Sequence, residues 1–162
     1  MRESLPRLLY HGSAHKGAVI QPGINITGTL VEWDETESNE WLYATTDENL
    51  AVEMALASSI EQSHLMNRFH TDGDQITIEL DMKSPPLTLA MLKRRVVYKY
   101  VFVPQVSEGW EKVNNAVNNT TTEWKTKRII TVFRRVVTIS MFDWLVTKRV
   151  IIKHPRFRNL SN

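Results

Sequence analysis

The sequence predicts an α+β domain, and three observations lead there. The 162 residues carry 42% hydrophobic and 23% charged side chains, a globular balance at a length that should bury roughly 70% of the unfolded surface. Across residues 75–81 apolar and polar side chains alternate strictly, with Ile76, Ile78 and Leu80 on one side, which is the period of a half-exposed strand. Across residues 47–60 the apolar positions Leu50, Ala51, Met54, Ala55 and Ile60 recur at three- and four-residue steps, which is the period of a helix.

The remaining elements follow in order. Residues 7–11 read as a strand ended by Gly12, and residues 41–45 as another that runs into the helix. Thr46 or Asp47 can cap that helix, and Asp47 and Glu48 suit the positive end of its dipole. Pro85 and Pro86 break the chain, residues 87–93 suit a short helix, and residues 96–103 return as a strand stopped by Pro104. Residues 105–122 form a long polar loop, of the kind that is mobile or functional inside a compact domain. Residues 129–140 are a long β-branched run, 141–145 a helical turn, 146–153 a closing strand and 154–162 a loose basic tail. The sum is about seven strands and two or three helices. No repeat, low-complexity tract or Pro/Gly/Ser-rich linker divides residues 1–162, so one domain is expected.

The absence of cysteine excludes disulfides, a thiolate nucleophile and sulfur-ligated metal, and makes a reducing compartment the easier home. Near the N-terminus Leu8 and Leu9 form only a short apolar pair, too little for a signal peptide or a membrane span, so a cytoplasmic protein without a membrane partner is expected. The net charge of +2 is unevenly spread. Glu32, Asp34, Glu35, Glu37 and Glu40 crowd one segment, whereas Lys148, Arg149, Lys153, Arg156 and Arg158 oppose Asp143 alone at the end. Solvated surface is the ordinary reading of both; contact of the tail with phosphates or nucleic acid is the sharper one. His15 stands four residues after His11, but Gly12 and Ser13 argue against a helix there and no third ligand is evident, so no metal is expected.

Two segments stand out together: Leu9-Tyr10-His11-Gly12-Ser13, and Leu42-Tyr43-Ala44-Thr45-Thr46 followed at once by the helix. The first resembles the strand-borne His-Gly-Ser/Thr of ADP-ribosyltransferases of the histidine-tyrosine class, and the second resembles the tyrosine strand of that family. The small rifamycin-inactivating ADP-ribosyltransferases are the nearest branch, and Tyr100-Val101-Phe102-Val103-Pro104 resembles their later strand ending near proline. The resemblance covers roughly residues 7–140. It implies a split β-sheet core with one main helix and one or two short helices, NAD as a substrate, and mono-ADP-ribosyl transfer to an unidentified acceptor: a protein, a nucleic acid or a small molecule.

Cleaving the nicotinamide–ribose bond passes through a cationic, oxocarbenium-like state, so the site must hold the dinucleotide bent and stabilise positive charge. The resemblance gives His11 a hydrogen bond to the adenine-side ribose and Gly12 a close backbone approach to the nicotinamide amide. It gives Ser13 a further ribose contact and Tyr43 the nicotinamide ring to stack on, with Tyr10 as a second wall. Each residue taken alone is also an ordinary strand residue. The family's third element is an acid. Glu111 and its neighbour Glu108 sit where the rifamycin-modifying branch carries it, whereas Thr121-Thr122-Glu123 matches the Ser/Thr-x-Glu segment of other branches. Glu123 is favoured, because a glutamate opening a strand is held on rigid backbone.

Three other readings stand beside this one. RNA 2′-phosphate transferases share the implied fold but clamp a phosphate with arginines, for which Arg7, Arg128, Arg134 and Arg135 are available, the last two on opposite sides of a strand. A non-catalytic module would keep the fold and bind a protein or nucleic-acid partner. A nucleic-acid accessory protein would work through Trp124, Lys125, Lys127, Arg128 and the basic tail.

Overall fold

The computed structural model describes residues 4–22, 41–113 and 122–157. The acidic segment of Glu32 to Glu40, the stretch 114–121 of the polar loop, and Arg158 lie outside the described residues. Among the described residues, nine strands and three helices form two sheets, an α+β architecture. In chain order they are β1 (Leu9–Ser13), β2 (Leu42–Thr45), α1 (Glu48–Glu61), β3 (Met66–Asp72), β4 (Gln75–Leu80), α2 (Leu89–Lys93), β5 (Val96–Phe102), β6 (Glu111–Lys112), β7 (Glu123–Thr126), β8 (Arg135–Ser140), α3 (Met141–Leu145) and β9 (Arg149–Lys153). The larger sheet has the order β6-β7-β2-β1-β5-β8 and is antiparallel throughout. The smaller has the order β3-β4-β9, with β9 parallel to β4.

Helix α1 starts where its sequence says it should. Asp47 sits in extended conformation ahead of it, and its Oδ1 accepts from the amides of Asn49 at 3.0 Å and Leu50 at 3.2 Å. That satisfies two of the four amides a helix start leaves unpaired. The face it buries is shifted from the expected one. Ala51, Ala55 and Ile60 are buried as expected, but Val52, Leu56 and Ser59 join them, while Leu50 and Met54 are only half-buried. Val52, Ala55, Leu56 and Ile60 share one apolar cluster with Ile76, Ile78 and Leu80 of β4, Val150 and Ile152 of β9, and Val97 of β5. One helix thus anchors both sheets, and each large apolar side chain so buried is worth about 1.5–3 kcal/mol.

The other face of the large sheet carries a second cluster. Leu9, Leu42, Ala44, Tyr100, Phe102 and Trp124 project there and pack with Ile20, Trp110 and Ile130. Strand alternation therefore sorts the sheet into an α1 face and an aromatic face.

Several boundaries differ from those expected. Strand β1 runs past Gly12 to Ser13 instead of ending at His11, because both residues pair with β5, opposite Lys99 and Tyr98. Gly12 is there because α1 packs so close that a Cβ would lie 1.7 Å from the Ala51 carbonyl oxygen. Within residues 129–140 only Arg135–Ser140 is strand. Ile130 makes an isolated bridge to Ile20, and the chain between leaves the sheet. Strand β3 was not expected, for its sequence MNRFHTD lacks alternation. It forms because the two-residue loop Gly73-Asp74, with Gly73 at φ +57, folds it back on β4 with Asp72 opposite Gln75. The polar loop also contributes structure, in the short strand β6 and a single turn, Val106–Glu108. Among the described residues no helix is long and apolar enough to cross a membrane.

Candidate functional site

Strand β1 lies between β2 and β5, but it pairs with them unequally. All five of its residues pair with β5, whereas only Tyr10 pairs with β2, opposite Thr45. No residue of β2 pairs with His11, Gly12 or Ser13. Where that ladder lapses, the His11 ring reaches across, and its Nδ1 lies 2.7 Å from the carbonyl oxygen of Tyr43. A carbonyl only accepts, so Nδ1 carries the proton. Burial lowers the His11 pKa below the ordinary histidine value, only partly opposed by the bond to Tyr43, and keeps the ring neutral. Nε2 is then a lone-pair acceptor beside the gap.

The other members of the resemblance are divided between the two faces. His11 and Ser13 project to the aromatic face, with the His11 and Tyr100 rings 6.2 Å apart. Ser13 is buried, and its Oγ accepts from the His15 amide at 3.1 Å. The Tyr100 hydroxyl lies 2.7 Å from the Gly17 amide, which donates to it, and so pins the segment after β1. A cavity of about 80 Å³ lies here, lined by His11, Ser13, His15 and Tyr100 among others; it is smaller than the ~300–1,000 Å³ of most small-ligand sites.

Tyr43 and Tyr10 stand on the α1 face. Strand β2 pairs with β7 so that Tyr43 faces Lys125 and Thr45 faces Glu123. One cross-strand row therefore reads Glu123, Thr45, Tyr10, and the next reads Glu111, Lys125, Tyr43. Tyr10 is already engaged. Its hydroxyl bonds Glu48, which also takes the Lys99 ammonium at 2.7 Å, and Lys99 lies 5.8 Å over the Tyr10 ring. The Lys99 and Tyr10 bonds hold the Glu48 carboxyl below the usual range.

The three candidate acids have different surroundings. Glu108 spends its Oε1 on its own loop, accepting from the Gln105 amide at 2.7 Å and from Trp110 Nε1 at 2.9 Å. Glu111 is exposed and sits opposite Lys125. Glu123 is half-buried at the head of β7, and its backbone carbonyl accepts from the Val113 amide at 2.9 Å. Its carboxyl forms no hydrogen bond or ion pair among the described residues, and burial alone pushes its pKa up. A desolvated carboxyl without a partner is costly for a fold to keep and is typical of working sites.

Gly12 has a structural reason of its own, the contact with Ala51. The arginines are not neighbours on one strand as expected, because β8 starts at Arg135 and Arg134 lies just before it. Arg135 is opposite Val101 and acts electrostatically on Tyr10 and Glu48 of the α1 face, whereas Arg134 lies on the other side with Phe133. In the basic end of the chain, Lys148 pairs with Asp74 at 3.3 Å and Lys153 with Glu79 at 3.9 Å. Trp124 is buried, and Lys125 and Lys127 sit over the Trp41 ring at 4.1 and 4.9 Å. Sequence reasoning missed Thr45, fully buried and central in its row, whose hydroxyl accepts from the Asp47 amide at 3.0 Å. Its place two residues ahead of the helix cap was the available signal.

No protein-family model matches the chain, and neither a curated protein nor a solved structure matches it.

Proposed function

We propose that the protein is a mono-ADP-ribosyltransferase that consumes NAD, with His11, Tyr43 and Glu123 as its working residues. The observation that carries the reading is the position of Tyr43. Its carbonyl fixes the neutral His11 ring, and its side chain shares a face with the partnerless carboxyl of Glu123. The lapse of pairing between β1 and β2 beside His11 supports the reading, which assigns the bent dinucleotide to that region.

In this reading Nε2 of His11 accepts from a hydroxyl of the adenine-side ribose, and the Tyr43 ring stacks on nicotinamide. The C1′–N bond breaks with its electron pair leaving on nicotinamide. Glu123, placed at the nicotinamide-side ribose, stabilises the positive charge that develops. The acceptor's nucleophile then bonds C1′ and gives its proton to Glu123, whose burial makes the carboxylate a better base. Gly12 and Ser13 contribute backbone and hydroxyl contacts to the same ligand, and Tyr10 stiffens the wall through Glu48.

Two observations favour a second reading, a binding module of the same fold without transferase activity: the small cavity beside His11, and the placement of His11 and Glu123 on opposite faces. Nicotinamide release from NAD by purified protein, with cell extract as a source of acceptor, separates the two. The transferase reading expects release that disappears in His11→Ala and Glu123→Gln proteins that remain folded. NAD binding without release selects the binding module.

A further inference from the structure

A cavity of about 650 Å³ opens on the aromatic face of the large sheet, beyond the ends of β1, β5 and β8 that lie away from His11. It is lined by Arg7, Val103, Gln105, Glu108, Thr131, Val132, Phe133 and Arg134, and it contains none of His11, Tyr43 and Glu123. We propose that it is a second binding site, for a small aromatic oxyanion: a flat apolar body bearing one carboxylate or phosphate.

Both walls are held in place by bonds of the fold itself. The stretch 131–134 is fixed at one end by the reciprocal Ile20 and Ile130 backbone bonds of 3.0 and 2.9 Å, and at the other by the Arg134 amide, 2.8 Å from the Val101 carbonyl. The opposite wall, after β5, is closed by Glu108 on the Gln105 amide and the Trp110 ring. The Glu108 carbonyl in turn accepts from the Thr126 hydroxyl. The volume falls in the range of small-molecule sites, and a site with fixed walls loses little entropy on binding.

The lining selects the ligand's chemistry. Phe133 is half-buried, wedged against Tyr100 at 4.8 Å and Phe102 at 6.3 Å, and gives an aromatic floor. Val103 and Val132 are 47% and 79% exposed, apolar surface that an aromatic body would cover. Arg7 and Arg134 form no ion pair among the described residues, and a guanidinium fork suits a carboxylate or phosphate. Glu108 is the one acid in the lining, and its Oε1 is already committed to the loop, so the cations prevail.

The test is titration of the full chain with 1-naphthoate, 1-naphthyl phosphate and the uncharged 1-naphthalenemethanol, followed by naphthyl fluorescence. The expected result is saturable binding of at least one anion, with the uncharged compound weaker by about tenfold or more; which anion binds tighter identifies the head group. Arg7→Gln/Arg134→Gln should lose about tenfold in anion affinity and keep the wild-type melting temperature, while Arg7→Lys/Arg134→Lys retains part of it. Saturating NAD should leave the bound probe in place, which keeps this result independent of the NAD reading. Equal affinity for the uncharged compound, unchanged affinity in the glutamine variant, displacement by NAD, or no binding tighter than about 1 mM would each overturn the proposal.

Discussion

His11 Nδ1 donates to the backbone carbonyl of Tyr43 at 2.7 Å, in the gap where β1 and β2 stop pairing. The bond fixes the tautomer, and burial keeps the ring neutral.

A pH dependence follows from that neutrality. The folded His11 pKa lies below its ordinary value near 6.5, so on acidification the unfolded chain takes up this proton first. Stability contributed at this site is complete above the ordinary value and is lost as pH falls through the folded one. Melting temperature between about pH 7 and pH 5 should fall more steeply for the wild type than for His11→Gln. NAD affinity should fall only at still lower pH, as the folded ring itself takes up the proton and Nε2 turns from acceptor to donor. Parallel slopes for the two proteins would show that His11 is not held neutral.

Glu123 should trade stability for activity. Its carboxyl pKa is raised by burial, so this group favours folding at pH below the ordinary carboxylate value and opposes it as pH rises through the folded value. Near pH 7 Glu123→Gln removes a partly desolvated charge and should raise the melting temperature slightly, while nicotinamide release falls by 10² or more. Glu108→Gln should do the reverse, loosening its loop with little effect on release. A Glu123→Gln protein that melts lower than wild type, measured by thermal unfolding at pH 7, would contradict this.

Gly12→Ala tests the helix contact. Its new Cβ would come within 1.7 Å of the Ala51 carbonyl oxygen and 2.9 Å of the Ala55 Cβ, inside a helix that anchors both sheets. Relief requires moving α1, at a cost of about 3 kcal/mol, the upper end for overpacking. Gly17→Ala meets nothing nearer than the Val19 carbonyl oxygen at 3.3 Å and serves as the mild comparison. Denaturant unfolding of the two variants should separate them clearly.

The elements legible in the sequence were those written in a short, local code. Helix α1 with its Asp47 cap and the alternating Ile76, Ile78 and Leu80 of β4 depend on the spacing of neighbours, and both formed where expected. Strand β3 was missed because its pattern is weak and pairing with β4 supplies its backbone bonds, although Asp72-Gly73 was a visible turn signal.

For the candidate site, the residue types around His11 and Tyr43 were readable, but their arrangement was not. Three glutamates were open from sequence. They are distinguished by burial and partners: Glu108 folded onto Trp110, Glu111 exposed, Glu123 half-buried beside Thr45. The split of His11 and Tyr43 between two faces follows from Tyr10 pairing with Thr45, a register between strands about thirty residues apart. Sequence alone determined the α+β class, the main helix and the chemical repertoire, because local periodicity and side-chain type are properties of the chain itself. Only the tertiary structure decided which carboxyl stays partnerless, which ring is held neutral and which arginines share a cavity, because burial and strand register exist only once distant segments pack.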